Sequence, residues 1–217
     1  MRTYVNWFLS GLLLVSASVA SAESEQERLV RETVSKNVAE LLTYFNDEKQ
    51  YYETDPQRFF SNMDRALTKI VDFRRIAARV MGKYARRANK EQRDRFVDVF
   101  KTSLFDTYSK TLIESGTFEI RVLKATLNSR SDKRASVDLE VVSKSGSVYP
   151  VVYSMYLTDE GHWLMENVIV FGVNVGLAFR DRFENQMRST RGNIDAVIDG
   201  WNVKLEIDQP QGQGAAS

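Results

Sequence analysis

The sequence predicts an α+β fold, a helical N-terminal half packed on a curved antiparallel four-stranded sheet, followed by C-terminal helices. Two observations predict it. Apolar residues recur every three or four positions as far as Leu112, and near Gly116 the period changes to two, the change that separates amphipathic helices from half-buried strands. Helical spacing returns after Asn174.

Leu29, Val30, Val34, Val38, Leu41, Leu42 and Phe45 share one face of a first helix, about 25–45. Asp55-Pro56 reads as an N-cap with proline at the first helical position, ahead of a stripe of Phe59, Phe60, Met63, Leu67, Ile70 and Val71. A third helical segment carries Phe73, Ile76, Ala77, Val80, Met81 and Tyr84, with Gly82 near its end. Asn89 and Gln92 form a capping-box pattern that opens a long helix with an inner stripe of Phe96, Val99, Phe100, Leu104, Tyr108 and Leu112.

In the second half, Phe118, Ile120 and Val122 alternate with polar residues, as do Ala135, Val137, Leu139 and Val141. Turns at 143–146 and 159–161 set off a strand through Tyr149, Val151, Tyr153, Met155 and Leu157, and a fourth strand from His162 to about Val173. Strands joined by such short turns form an antiparallel meander, and helices must cover one of its faces. Asn174 and Asn193 are candidate caps of two last helices, one bearing Phe179, Phe183 and Met187 and the other Ile194, Val197, Ile198 and Trp201.

Ahead of these elements, Arg2 precedes a short apolar run from Trp7 to Val19, and Ala20-Ser21-Ala22 offers a small-residue cleavage site. The run is shorter than the roughly 20 residues a bilayer requires. The pattern is that of a secretory signal peptide, residues 1–22, cleaved after Ala22. A single α+β domain is expected over 23–208 and a disordered tail over 209–217. Cleavage removes Arg2 and no acid, so the formal charge falls from +1 to zero. A neutral chain lacks the basic footprint of a nucleic-acid binder. There is no cysteine and one histidine, His162. Disulfides, thiol catalysis, thiolate metal sites and multi-histidine zinc sites are thereby excluded.

Between Arg74 and Arg95 nine basic residues face only Glu91 and Asp94. Arg75, Arg79, Lys83 and Arg86 lie away from Ile76, Val80 and Tyr84, and form either a solvated helix face or a patch for anionic head groups or an acidic partner. The strand 148–157 is apolar on nearly both faces, and 168–175 is apolar with Gly172 and Gly176 beside it. Either an internal cavity or a sheet covered on both sides accounts for that surface. His162 sits beside a turn and before Trp163, an ordinary place for an exposed strand-end histidine, and catalysis there would need a carboxylate positioned to orient it; Asp138 and Glu140 lie on the strand face opposite Val137 and Leu139. An enzyme is therefore not expected.

The segments Val80-Met-Gly-Lys-Tyr84, Asn89-Lys-Glu-Gln-Arg93 and Phe96-Val-Asp-Val-Phe100 to Tyr108 resemble the helical signature of the MlaC, or toluene-tolerance, family. Trp163 to Val168, Gly172-Val-Asn-Val175, Phe179-Arg-Asp-Arg-Phe183 and the helix around 194–197 are similar to its second half in order and spacing. The chain departs from the family pattern at Ala85, Asn167 and Asn174, where an aromatic, an aspartate and a serine are usual.

The resemblance implies a deep apolar pocket that buries phospholipid tails, with no covalent chemistry and no cofactor. It implies a periplasmic carrier, expected to act as a monomer. Its partners would be an inner-membrane ABC transporter with substrate-binding domains and an outer-membrane lipoprotein complex, and its role the maintenance of outer-membrane lipid asymmetry. On that reading the inward faces supply the lining: Phe100, Leu104, Tyr108, Val137, Leu139, Val151, Tyr153, Met155, Trp163, Val168, Val170, Phe179 and Phe183. The alternative is an exported binding or chaperone module for another hydrophobic cargo, a lipoprotein or an organic solvent.

Overall fold

The computed structural model describes residues 23–202 apart from Ser115 and Thr117, so the leader and the 209–217 tail lie outside the described residues. Helix α1 (Glu25–Glu48) opens on a reciprocal capping box. The Glu27 backbone N–H donates to the Ser24 hydroxyl at 3.2 Å, and the Ser24 N–H to the Glu27 carboxylate at 3.0 Å. The other Glu27 oxygen accepts the Leu127 N–H at 3.0 Å and ties the start of α1 to the sheet.

Asp55 caps α2 (Pro56–Thr68) by accepting the Arg58 N–H at 3.1 Å, with proline at the first turn. Helix α3 (Phe73–Met81) ends where Gly82 takes φ 55°, a value that favours glycine. The chain continues as a 3-10 turn, Gly82–Arg86, so Tyr84 lies beyond the helix. Asn89 and Gln92 form the expected box, at 2.8 and 3.1 Å, ahead of α4 (Lys90–Glu114).

The sheet comprises β1 (Glu119–Asn128), β2 (Ser131–Val142), β3 (Val148–Leu157), β4 (Trp163–Val170) and β5 (Val173–Asn174), antiparallel in chain order. It thus has five strands where the sequence predicts four. The fourth strand ends at Val170 because Phe171 (φ 51°) and Gly172 (φ 76°) both take positive φ. That is the signature of a two-residue hairpin turn, and it folds Val173 back beside Val170. Asn174 then caps α5 (Val175–Ser189) through the Leu177 N–H at 3.0 Å, and Asn193 caps α6 (Ile194–Asp199) through the Ala196 N–H at 3.1 Å.

Three apolar clusters organise the packing. Val30, Val34 and Val38 of α1 lie on Ala125, Ala135, Val137, Leu139, Val151 and Met155 of the sheet. Helices α3 to α6 enclose Val80, Met81, Phe96, Phe100, Phe179, Phe183, Val197, Ile198 and Trp201. A smaller cluster of Phe45, Phe59 and Met63 joins α1 to α2. Among the described residues no helix is long and apolar enough to cross a membrane.

Candidate functional site

Where the ends of α1, α2 and α4 diverge over β1 and β2, the packing leaves an apolar cavity of about 360 Å³. Helix α1 contributes Leu41, Leu42 and Phe45, α2 Phe59, Met63 and Leu67, and α4 Phe105, Ser109 and Leu112. Phe118, Ile120, Val141 and Ser143 close the sheet side, where Ile120 and Val141 are cross-strand partners. The wall is stiffened by edge-on rings: Phe45 to Phe59 at 6.4 Å, Tyr52 to Phe59 at 5.4 Å, and Phe60 tilted on Phe105 at 5.9 Å. Leu112 is 45% exposed, and Ser143, which begins the β2–β3 turn, lines the same cavity. The wall has no charged residue, so the space suits hydrocarbon and offers nothing to hydrate an ion.

A second apolar cavity of about 190 Å³ adjoins it, lined among others by Leu67, Val71, Phe73, Ile76 and Met165. Four of the thirteen residues named from the sequence line it: Phe100, Leu104, Val168 and Phe179. None of the thirteen lines the larger cavity. Val137, Leu139, Val151 and Met155 are buried under α1, with Tyr153, Trp163, Val168 and Val170 packed around them. Desolvation raises the pKa of the Tyr153 hydroxyl there. Phe183 is fully buried among the α3–α6 helices, with Tyr108 packed against that cluster.

The basic face is largely tied to carboxylates distant in sequence. In β4, a register shift pairs Met155 with Met165 and Ser154 with Asn167, leaving Glu166 as the bulged residue. Its side chain, 4% exposed, receives Arg75 at 2.5 Å, Arg79 at 3.0 Å, and Arg134 from β2. Arg75 also stacks over the Tyr156 ring at 4.0 Å, and the Tyr156 hydroxyl donates to Asp72. Desolvation, reinforced by the Asp72 carboxylate, pushes the Tyr156 pKa up to about 12. Lys83 meets Glu184 at 2.7 Å, which raises the lysine pKa and lowers the glutamate's. Arg86 is exposed.

A family model described as MlaC protein matches residues 35–203, from within α1 to beyond α6. The chain belongs to the MlaC family. It is 37% identical over 171 residues to the toluene tolerance protein Ttg2D of Pseudomonas putida, covering 78% of each protein. A solved structure from Ralstonia solanacearum, described as a phospholipid-binding protein in complex with a phospholipid, superposes with a TM-score of 0.69 at 20% identity. The match spans 78% of this chain and 92% of that one, and shows that the two share a fold.

The MlaC pattern and the geometry meet at two of the departures noted in the sequence. Asn167 accepts the Gly176 N–H at 3.1 Å, and Asn174 serves as the α5 cap, so each asparagine supplies the acceptor oxygen that an aspartate or serine would. Sequence reasoning placed Leu41, Leu42, Phe45, Phe59, Met63 and Leu67 on helix faces without assigning them to a cavity, and passed over Phe105. The available signal was Phe105 itself, an aromatic flanking the α4 stripe and widening its apolar face beyond what one neighbour covers.

Proposed function

We propose that this protein is a periplasmic phospholipid carrier, which holds acyl chains in the cavity between α1, α2, α4 and the β1–β2 edge and leaves the head group at the rim near Leu112 and Ser143. The observation that carries the reading is the uncharged wall of a partly open cavity of about 360 Å³, in a chain of the MlaC family. The phospholipid described in the Ralstonia structure of the same fold supports it. Two tails of roughly 15 methylenes, at about 0.8 kcal/mol per buried methylene, represent on the order of 24 kcal/mol of transfer free energy. A lipid crossing an aqueous compartment needs an equivalent shelter.

The chain would enter the periplasm by its 1–22 leader and lose it after Ala22. It would work there as a monomer of one domain, 23–208, with no cofactor. It would exchange lipid between an outer-membrane lipoprotein complex and an inner-membrane ABC transporter carrying substrate-binding domains, and so help maintain outer-membrane lipid asymmetry. Arg86 and the exposed parts of Arg75, Arg79 and Lys83 remain candidates for contact with an acidic partner or head group. Binding and release suffice for this work; the protein acts as a carrier and not as a catalyst.

The test is organic extraction of the protein purified from a Gram-negative periplasm, followed by mass spectrometry. Diacyl phospholipid near equimolar with protein is the expected result. An extract holding only small organic molecules would favour the solvent-binding alternative, and an extract empty of lipid would overturn the carrier.

A further inference from the structure

The wall of the larger cavity holds two hydroxyl side chains among apolar ones, Ser109 of α4 and Ser143 after β2. They differ in what they already bond. The Ser143 hydroxyl lies 2.8 Å from that of Ser145 and accepts the Ser147 N–H at 3.1 Å, so it belongs to the β2–β3 turn. Ser109 is only 5% exposed, yet its hydroxyl has no hydrogen-bond partner among the described residues. A helical serine or threonine can turn its hydroxyl back onto the carbonyl four residues earlier, as Thr33, Ser35 and Thr43 of α1 do at 2.7, 2.9 and 3.0 Å. Ser109 makes no such bond to Phe105 and instead lines the cavity.

A hydroxyl held away from water without a partner is unfavourable, so this position favours a ligand that brings an acceptor to it. Depth decides which acceptor. Leu112 lies one turn further along the same face of α4, about 4.5 Å by helical rise, and exposure climbs over that turn from 5% to 45%. With the head group near Leu112, the acceptor that reaches the level of Ser109 is the carbonyl of the ester that joins each acyl chain to the rest of the lipid. A free fatty acid would also bring an acceptor, but the wall has no cation to receive its charge.

We infer that the Ser109 hydroxyl donates to an acyl ester carbonyl of the bound lipid, and so fixes the depth at which hydrocarbon begins. The inference rests on the carrier reading and adds to it the atom that tells ester-linked from ether-linked lipid.

The test measures binding of a diacyl phosphatidylethanolamine and of its dialkyl ether counterpart, with the same chains and head group, to delipidated wild type and Ser109→Ala. The ether lipid lacks the carbonyls, so the two substitutions form a cycle that isolates the one bond. The ratio of ester to ether affinity should be about fivefold higher in wild type than in the variant, the equivalent of about 1 kcal/mol. Thermal unfolding of the delipidated proteins supplies the control. Alanine is the better helix former and leaves no orphan hydroxyl, so the variant should unfold no earlier than wild type. Equal ester-to-ether ratios in the two proteins would overturn the ester contact while leaving the carrier standing. A delipidated variant less stable than wild type would overturn it too, since the hydroxyl would then be partnered within the fold. A wild type that binds neither lipid would overturn the carrier reading itself, and the ester contact with it.

Discussion

The Arg75 guanidinium lies 2.5 Å from the carboxylate of Glu166, the residue that the β4 bulge leaves without a cross-strand partner. This contact joins α3 to the sheet beside the smaller cavity, and Arg79 and Arg134 converge on the same side chain. Glu166 is nearly fully buried whereas its arginines are 36–45% exposed. Most of the cost of breaking the cluster therefore falls on the carboxylate side. Glu166→Ala leaves three arginines gathered around a vacated site, and should lower stability by about 2–3 kcal/mol. That is below the cost of breaking a fully buried pair, because water screens the arginines. Urea unfolding of wild type and variant gives the difference directly.

Tyr156 gives the protein an alkaline weakness. Its folded pKa of about 12 stands above the ordinary tyrosine value of 10.0. The folded state therefore holds a proton that the unfolded chain releases between those values. The contribution is fully present below pH 10 and is lost as pH rises toward 12. Tyr156→Phe should remove this component, so wild type should lose more stability than the variant between pH 9 and pH 12. Parallel loss in the two proteins would show that the Tyr156 pKa is not raised in the folded protein.

Gly176 sits where a methyl group would come within 2.4 Å of the Asn167 side-chain oxygen. That oxygen is the acceptor of the Gly176 N–H, so Gly176→Ala must displace Asn167 and lose the bond. Destabilisation of about 1 kcal/mol is expected. In an Asn167→Ala background the same substitution should cost much less, and a double-mutant cycle by chemical denaturation reads the coupling.

Much of the helical framework could be read in the sequence, because each start is written in a local side chain: Asp55, Asn89, Asn174 and Asn193 all cap as expected. The fifth strand could not, since Phe171-Gly172 is not one of the Asn-Gly or Asp-Gly pairs that announce a two-residue turn, and Val168 to Val175 reads as one apolar run. The cavity was less legible for a different reason. Periodicity tells which residues face inward but not whether opposing faces touch. Val137 and Val151 face inward and meet α1, whereas Ile120 and Val141, packed at the margin of the same cluster, also line the larger cavity. Nor could spacing show that Arg75 and Arg79 would find Glu166 some ninety residues away.

That difference between touching and open faces can be tested by charge. Ile120→Arg places a guanidinium in the wall of the larger cavity near its rim, where the head can reach water while the stem occupies space meant for hydrocarbon. Co-purified lipid should fall at least tenfold with the circular dichroism spectrum preserved. Val151→Arg, by contrast, enters the packed interface with α1 and should destabilise the fold by about 3 kcal/mol or more. Lipid content and thermal unfolding together separate the two effects.

The location of the acyl chain is open to direct measurement by photo-crosslinking with a phospholipid that carries a diazirine near the end of one tail, followed by peptide mapping. Insertion should concentrate on α2 and α4, at Phe59, Met63, Leu67 and Phe105, with a share on Ile120 and Val141. Label confined to the outer surface, or found at Val137, Leu139 and Val151 beneath α1, would contradict the placement of lipid in this cavity.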